Sequence, residues 1–312
     1  MDINTQLPLL LELYSNDETS RVRFNQAKIY VDGILELTTA ALYEPYLASL
    51  ELPVDEQYGF DYFGTNVTVL QTVVTTLATA GFQIHFHVVG DRAVGMALDA
   101  IEYAMNSSAI ARSSGPHRLT HLYLIDDRDK YRFASLGVIA DFQMAPSSVD
   151  LEYRDFLSND LIGSTRANRL LPATELYYDT DALITLSSDW DADVLSPLVK
   201  IQTVLSRPDG RSFQNVEEVI PMLTINGAKL LRQDNRTGSL EPGKYADFVV
   251  IDKNIFLLPI NEIGSAKVML TILEGKMVYN WTSSSSRRKW SFCSLISATW
   301  NAIICILWMK KL

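Results

Sequence analysis

Apolar positions along this chain fall into two rhythms. Short aliphatic and β-branched runs at 25–31, 82–88, 117–124, 137–143 and 183–189 read as strands. Between them the spacing lengthens. Val67, Leu70, Val73, Val74 and Leu77 predict a helix over 65–79, and Val94, Ala97, Leu98, Ile101 and Met105 predict a second one, with Asp91 as its N-cap. Further helices are expected at 126–133, 165–178, 196–206 and 215–229, and 7–14 reads as the end of another. Strands alternating with helices give βα units and a parallel sheet. Two stretches show neither rhythm. One, 34–63, is rich in aromatics (Tyr43, Tyr46, Tyr58, Phe60, Tyr62, Phe63), and the other, 144–164, is loop-like.

After residue 235 the pattern changes. A turn-rich segment, 237–247, leads to strand-like runs at 248–251 and 267–273, and Glu274-Gly275 predicts a hairpin turn into 276–279. This reads as a small β layer. Beyond it lie a serine run and Arg287-Arg288-Lys289, then 291–309, which has about the length needed to cross a bilayer. Ser291, Ser294, Ser297, Thr299 and Asn301 dilute its hydrophobicity, so a membrane anchor and a divergent tail without a fold are both kept. The expected organisation is an α/β body over 1–235, a β segment over 236–282 and the tail over 283–312.

Composition narrows the class. The chain has 312 residues, 47% of them hydrophobic, enough for a sizeable core. Its net charge of −10, with no basic stripe before residue 287, argues against a nucleic-acid partner. The two cysteines, Cys293 and Cys305, make no disulfide framework, and the first residues lack the basic and apolar regions of a signal peptide. A reducing, cytoplasmic setting is the expectation, with a tail-anchored membrane location as the alternative.

The candidate chemistry sits at strand ends. His87 closes the run 82–88, and Lys28, His121 and Asp189 each lie near the end of a separate strand-like run. One titratable residue per strand end suits a metal site in the mouth of an α/β barrel, where such folds keep their chemistry. All four are therefore expected to converge. A lysine inside a strand is costly to bury unless its charge is removed or paired. The plainer possibility for Lys28 is that it faces solvent or pairs with a carboxylate.

Four segments, AKIYVDG (27–33), IHFHVVGDRA (84–93), HRLTH (117–121) and LSSDWD (186–191), occur in an order and spacing that resembles the amidohydrolase superfamily, specifically its YtcJ-like branch. GSLEPGKYADFVVID (238–252) is similar to that family's closing β-sandwich segment. The resemblance implies a partial (β/α)8 barrel of about strands four to eight, with a small C-terminal β-sandwich remnant. It places the metal ligands on Lys28 (carboxylated), His87 and His121, with Asp189 as both ligand and catalytic base. It implies zinc or another divalent metal and a small-molecule, amide-like substrate. The reaction would be hydrolysis of a non-peptide carbon–nitrogen bond.

The likeness has gaps. The family's first strand carries a His-x-His pair for a second metal, and here only His85-Phe86-His87 has that spacing, after the lysine strand. By this count the first three barrel strands are missing. At most one metal and poor turnover are expected, with His85 and Asp91 as the replacement ligands to examine should two metals bind. Asp191 stands where the family often has proline. Two rival readings remain: an inactive fragment that acts as a membrane-tethered or partner-binding protein, and an unrelated α/β binding domain with histidines in its core. Oligomeric state and substrate stay open.

Overall fold

The computed structural model of the protein describes residues 3–281 except 18, 21, 64–66, 191 and 193. The run 291–309 therefore lies outside the described residues. Among the described residues no helix is long and apolar enough to cross a membrane.

Five strands form one sheet in chain order: β1 (Gln26–Tyr30), β2 (Gln83–Val88), β3 (Arg118–His121), β4 (Ile139–Phe142) and β5 (Ile184–Leu186). The first four pair in parallel, with Ala27 opposite Ile84, Phe86 opposite Leu119, and Leu119 opposite Ala140. Period-2 alternation explains the faces. Ala27, Ile29, Ile84, Phe86, Val88, Leu119 and Ala140 are buried on one side. Helix α1 (Ile3–Leu13) precedes the sheet, and α2 (Val67–Thr79) and α3 (Asp91–Ser107) flank β2 in sequence. Leu70, Val73, Val74 and Leu77 of α2 and Ala97, Leu98 and Ile101 of α3 are buried, and the two helices pack together.

Local details depart from the sequence reading. The cap of α3 is Gly90, in extended backbone, and Asp91 lies inside the first turn. Its Oδ1 accepts from Tyr43 N at 3.0 Å and Arg92 N at 2.9 Å, so the carboxylate serves the neighbouring loop as well as the helix. Gly90 is required for a steric reason. A Cβ there would collide with the Ala41 backbone, so the turn after β2 presses directly on the 34–63 excursion.

The region 144–164 is not a plain loop. It holds a helix, Leu151–Phe156, and a π-helical turn, Leu157–Ile162. Leu157, Leu161 and Ile162 pack with Leu35, Leu42 and Tyr46 of the excursion, a long-range burial that local pattern does not reveal. The expected helix at 126–133 begins later, at Lys130. That at 165–178 is two pieces, Ser164–Ala167 and Ala173–Asp179, with Pro172 between them. That at 215–229 is interrupted at Thr224.

The strands β6 (Phe248–Ile251), β7 (Val268–Leu273) and β8 (Lys276–Asn280) form a separate antiparallel sheet. Gly275, at φ +74°, makes the hairpin turn. The chain divides into two compact units, one of Met1–Gln143 and Ser147–Thr185, the other of Met144–Pro146 and Leu186–Leu312.

Candidate functional site

The second face of the large sheet is polar. Register places Lys28 beside His85 and His85 beside Arg118, then Tyr30 beside His87, His87 beside Thr120, and Thr120 beside Asp141. Register partners in parallel strands share a face. Lys28 and Tyr30 are exposed, so Lys28 carries no burial cost, and its Nζ lies 5.2 Å from the Tyr30 ring centroid. Tyr30 stacks on His87, with centroids 4.5 Å apart and planes at 27°.

His121 reaches this group by breaking the alternation. It pairs with Val88, which points to the apolar face. At His121 and Leu122, however, φ is +84° and +55°. Such conformations cost about 1–3 kcal/mol for non-glycine residues and persist where the surrounding fold imposes them. The result is an edge-on contact between His121 and His87, centroids 4.3 Å apart.

The ring nitrogens are distinguishable. His87 Nε2 is 3.0 Å from Gly33 O, and a carbonyl only accepts, so Nε2 carries a proton, and in the neutral ring Nδ1 then carries the lone pair. His85 Nδ1 lies 2.8 Å from Arg118 Nη2, which only donates, so His85 Nδ1 accepts. His85 is thus held by Arg118. Burial pushes the His85 imidazole down to about 2, and the Arg118 and Lys28 charges push the same way. Burial likewise pushes His121 down to about 3, helped by His87 and Lys28. Both rings are neutral at neutral pH, the form that donates a lone pair. Beside them on β4, Asp141 is buried and accepts from Thr120 Oγ1 at 3.2 Å and Thr185 Oγ1 at 2.9 Å, with Arg118 Nη1 at 3.7 Å.

Three of the four residues singled out from sequence, Lys28, His87 and His121, are therefore neighbours in the first unit. Asp189 belongs to the second unit, where it is exposed, at φ +48°, and its carbonyl accepts from Ala192 N at 2.8 Å. Of the replacement ligands, His85 lies on the same face, and Asp91 is engaged by two backbone N–H groups. Sequence reasoning passed over Tyr30, Arg118, Thr120 and Asp141. Period-2 alternation from Lys28, His85 and His87 would have found Tyr30, and register would have added the others.

Among the described residues no three His, Cys, Asp or Glu side chains gather closely enough to hold a metal ion. The donor chemistry fits a single cation nonetheless, because the third donor is a lysine. Two neutral imidazoles and an amine that can be carboxylated make a three-ligand set.

Residues 3–279 match the amidohydrolase family. Protein LONG AFTER FAR-RED 3 of Arabidopsis thaliana is 28% identical over 267 residues, 81% of this chain and 42% of that protein. The putative amidohydrolase YtcJ of Bacillus subtilis is 24% identical over 274 residues, 83% of this chain and 47% of that protein. The fold is similar to that of a metal-dependent hydrolase from Pyrococcus horikoshii, with a TM-score of 0.65 at 19% identity, over 82% of this chain and 50% of that one. The chain thus spans about half the length of the relatives it matches.

Proposed function

Because the chain belongs to the amidohydrolase family, in its YtcJ-like branch, we propose that its polar sheet face serves metal-dependent hydrolysis of an amide-like carbon–nitrogen bond in a small molecule. One zinc ion would be held by Lys28 in carboxylated form, His87 and His121. The contact that carries this reading is the 4.3 Å approach of His121 to His87, reached through a positive φ at His121.

Each residue has a defined task. Lys28, as the neutral amine, adds its Nζ lone pair to carbon dioxide and releases a proton, and the new carbamate is an anion. Its exposure gives carbon dioxide access. His121 stays neutral, and His87, with its Nε2 proton on Gly33 O, would present its Nδ1 lone pair. When bound, the cation lowers the pKa of a water toward neutrality and polarises the substrate carbonyl. The likeness of LSSDWD to the family motif would give Asp189 the role of base and of proton carrier to the leaving nitrogen. The parallel sheet supports a reading as about strands four to eight of a (β/α)8 barrel, with β6–β8 as the sandwich remnant. Substrate choice would rest on 34–63 and 144–164.

Zinc content of the purified 312-residue chain, measured in bicarbonate buffer, tests the reading. At most one zinc per chain is expected, lost in His87→Ala and in His121→Ala, with slow turnover of an N-acyl or amide substrate. Retention of zinc by both variants would remove these histidines from the site. Two tightly held metals with brisk hydrolysis would overturn the one-metal set.

A further inference from the structure

The turn after β1 holds a carboxylate that none of the site chemistry uses. Asp32 is 0% exposed. Its Oδ1 accepts from Val89 N at 3.0 Å, and its Oδ2 accepts from Gly90 N at 2.8 Å and Ala41 N at 2.9 Å. Three consecutive residues of this turn grip the segment that carries His87. Val31 N donates to His87 O at 3.1 Å, Asp32 takes the next two amides but one, and Gly33 O takes the His87 ring N–H. The grip extends to His121, because Val88 O and Val89 O accept from Leu122 N and Leu124 N at 3.0 and 3.1 Å. The Gly33 peptide is itself fixed, its N donating to Thr39 O at 3.0 Å.

We infer that Asp32 is a positioning residue: by binding Val89, Gly90 and Ala41 it holds the 31–33 turn against the end of β2, which keeps Gly33 O on His87 Nε2 and assigns the lone pair to Nδ1. Among the described residues no other side-chain acceptor serves those three amides, and a buried amide left without an acceptor is disfavoured. Asparagine cannot replace the carboxylate. It offers one acceptor oxygen and turns an NH2 group toward at least one of the donors. The clamp would then loosen, Gly33 O would drift from the ring, and His87 would sample both tautomers. This inference rests on the proposed metal site only for what the Nδ1 lone pair does, since the tautomer exists without metal. Outer hydrogen-bond partners of metal-binding histidines commonly contribute about 10–100-fold in metal affinity.

The test is long-range proton–nitrogen NMR of the histidine rings in the metal-free, full 312-residue chain and its Asp32→Asn variant. Burial pushes the Asp32 carboxyl up to about 7, so spectra are taken at pH 8. His117 is an internal control for the fold, because its Nδ1 accepts from Ile84 N at 3.0 Å at the other end of β2 from the clamp. In the native chain His87 should show the Nε2–H tautomer. In the variant His87 should become a tautomer mixture while His117 is unchanged, and zinc affinity should fall about 10–100-fold. A variant whose His87 stays fully Nε2–H overturns the inference, whatever zinc does. If the native chain binds no zinc, the metal reading fails and the tautomer still decides the role of Asp32. If the variant loses the His117 signature and has not folded, native hydrogen exchange decides. The amides of Ala41, Val89 and Gly90 should then exchange as slowly as that of Phe86, and exchange at loop rates overturns the clamp.

Discussion

Two aspartates close two strands of one sheet, and their surroundings are opposite. Asp32 follows β1, is fully buried and takes three backbone amides. Asp189 follows β5, is exposed and stands at φ +48°. The first is closed off from any reactant by its burial. The second has a carboxylate open to one. A strand-end aspartate is thus a strut or a reagent according to how many main-chain donors surround it, and the residue type alone does not say which.

Substitutions can break or sharpen that contrast. The largest effect on stability is expected at the buried end. Gly90→Ala forces a Cβ into the Ala41 backbone and should cost about 3 kcal/mol in a denaturant titration. A loss below about 0.5 kcal/mol, the range of an ordinary surface change, would show that the turn and the excursion are not pressed together.

Next comes pH. His121 and His85 are held at about 3 and about 2 in the folded chain, against 6.5 for the ordinary side chain. At these two rings the unfolded chain therefore binds more protons between those limits, and their contribution to stability should be fully present above about pH 6.5 and fall as pH drops toward 3. The raised Asp32 carboxyl acts in the opposite sense in the same window, so the comparison is with His121→Asn in metal-free protein: the variant should lose less stability than the parent between pH 7 and pH 5, and identical urea-midpoint profiles would contradict the assigned neutrality. Lys28→Met should cost only about 0.5–1 kcal/mol, the worth of an exposed cation over an aromatic ring, while removing zinc binding. The smallest change is expected at the open end. Asp189→Asn should leave stability within about 0.5 kcal/mol yet slow any hydrolysis by about 10²–10⁴-fold. A stability loss like that of Gly90→Ala would make Asp189 a second strut.

Much of the fold was legible because its strands are buried on local rules. Ile84, Phe86 and Val88 alternate with polar residues, and Val67 to Leu77 repeat at helical spacing, so both elements lie close to their expected positions. The hairpin at Gly275 follows from a glycine in a turn between two β-branched runs. The helix at Leu151–Phe156 and the π turn after it escaped notice because Leu157, Leu161 and Ile162 are buried by residues more than a hundred positions earlier, Leu35 and Leu42. Asp91 has the composition of an N-cap, but Gly90 occupies that position because only a residue without a Cβ fits against Ala41.

For the site, the sequence by itself determined the residue types, their order and their assignment to strand ends: Lys28, His87, His121 and Asp189 are readable there, and three of them meet in the first unit. Period and propensity are local properties, so they survive in a linear string. Only the tertiary structure decided the rest. The positive φ at His121 turns its ring from the apolar face to His87, Gly33 O selects the His87 tautomer, and Asp32 becomes a clamp because residues 41, 89 and 90 come to it. Each of these depends on hydrogen bonds and ring contacts between segments distant in the chain, and such contacts exist only once the sheet has formed.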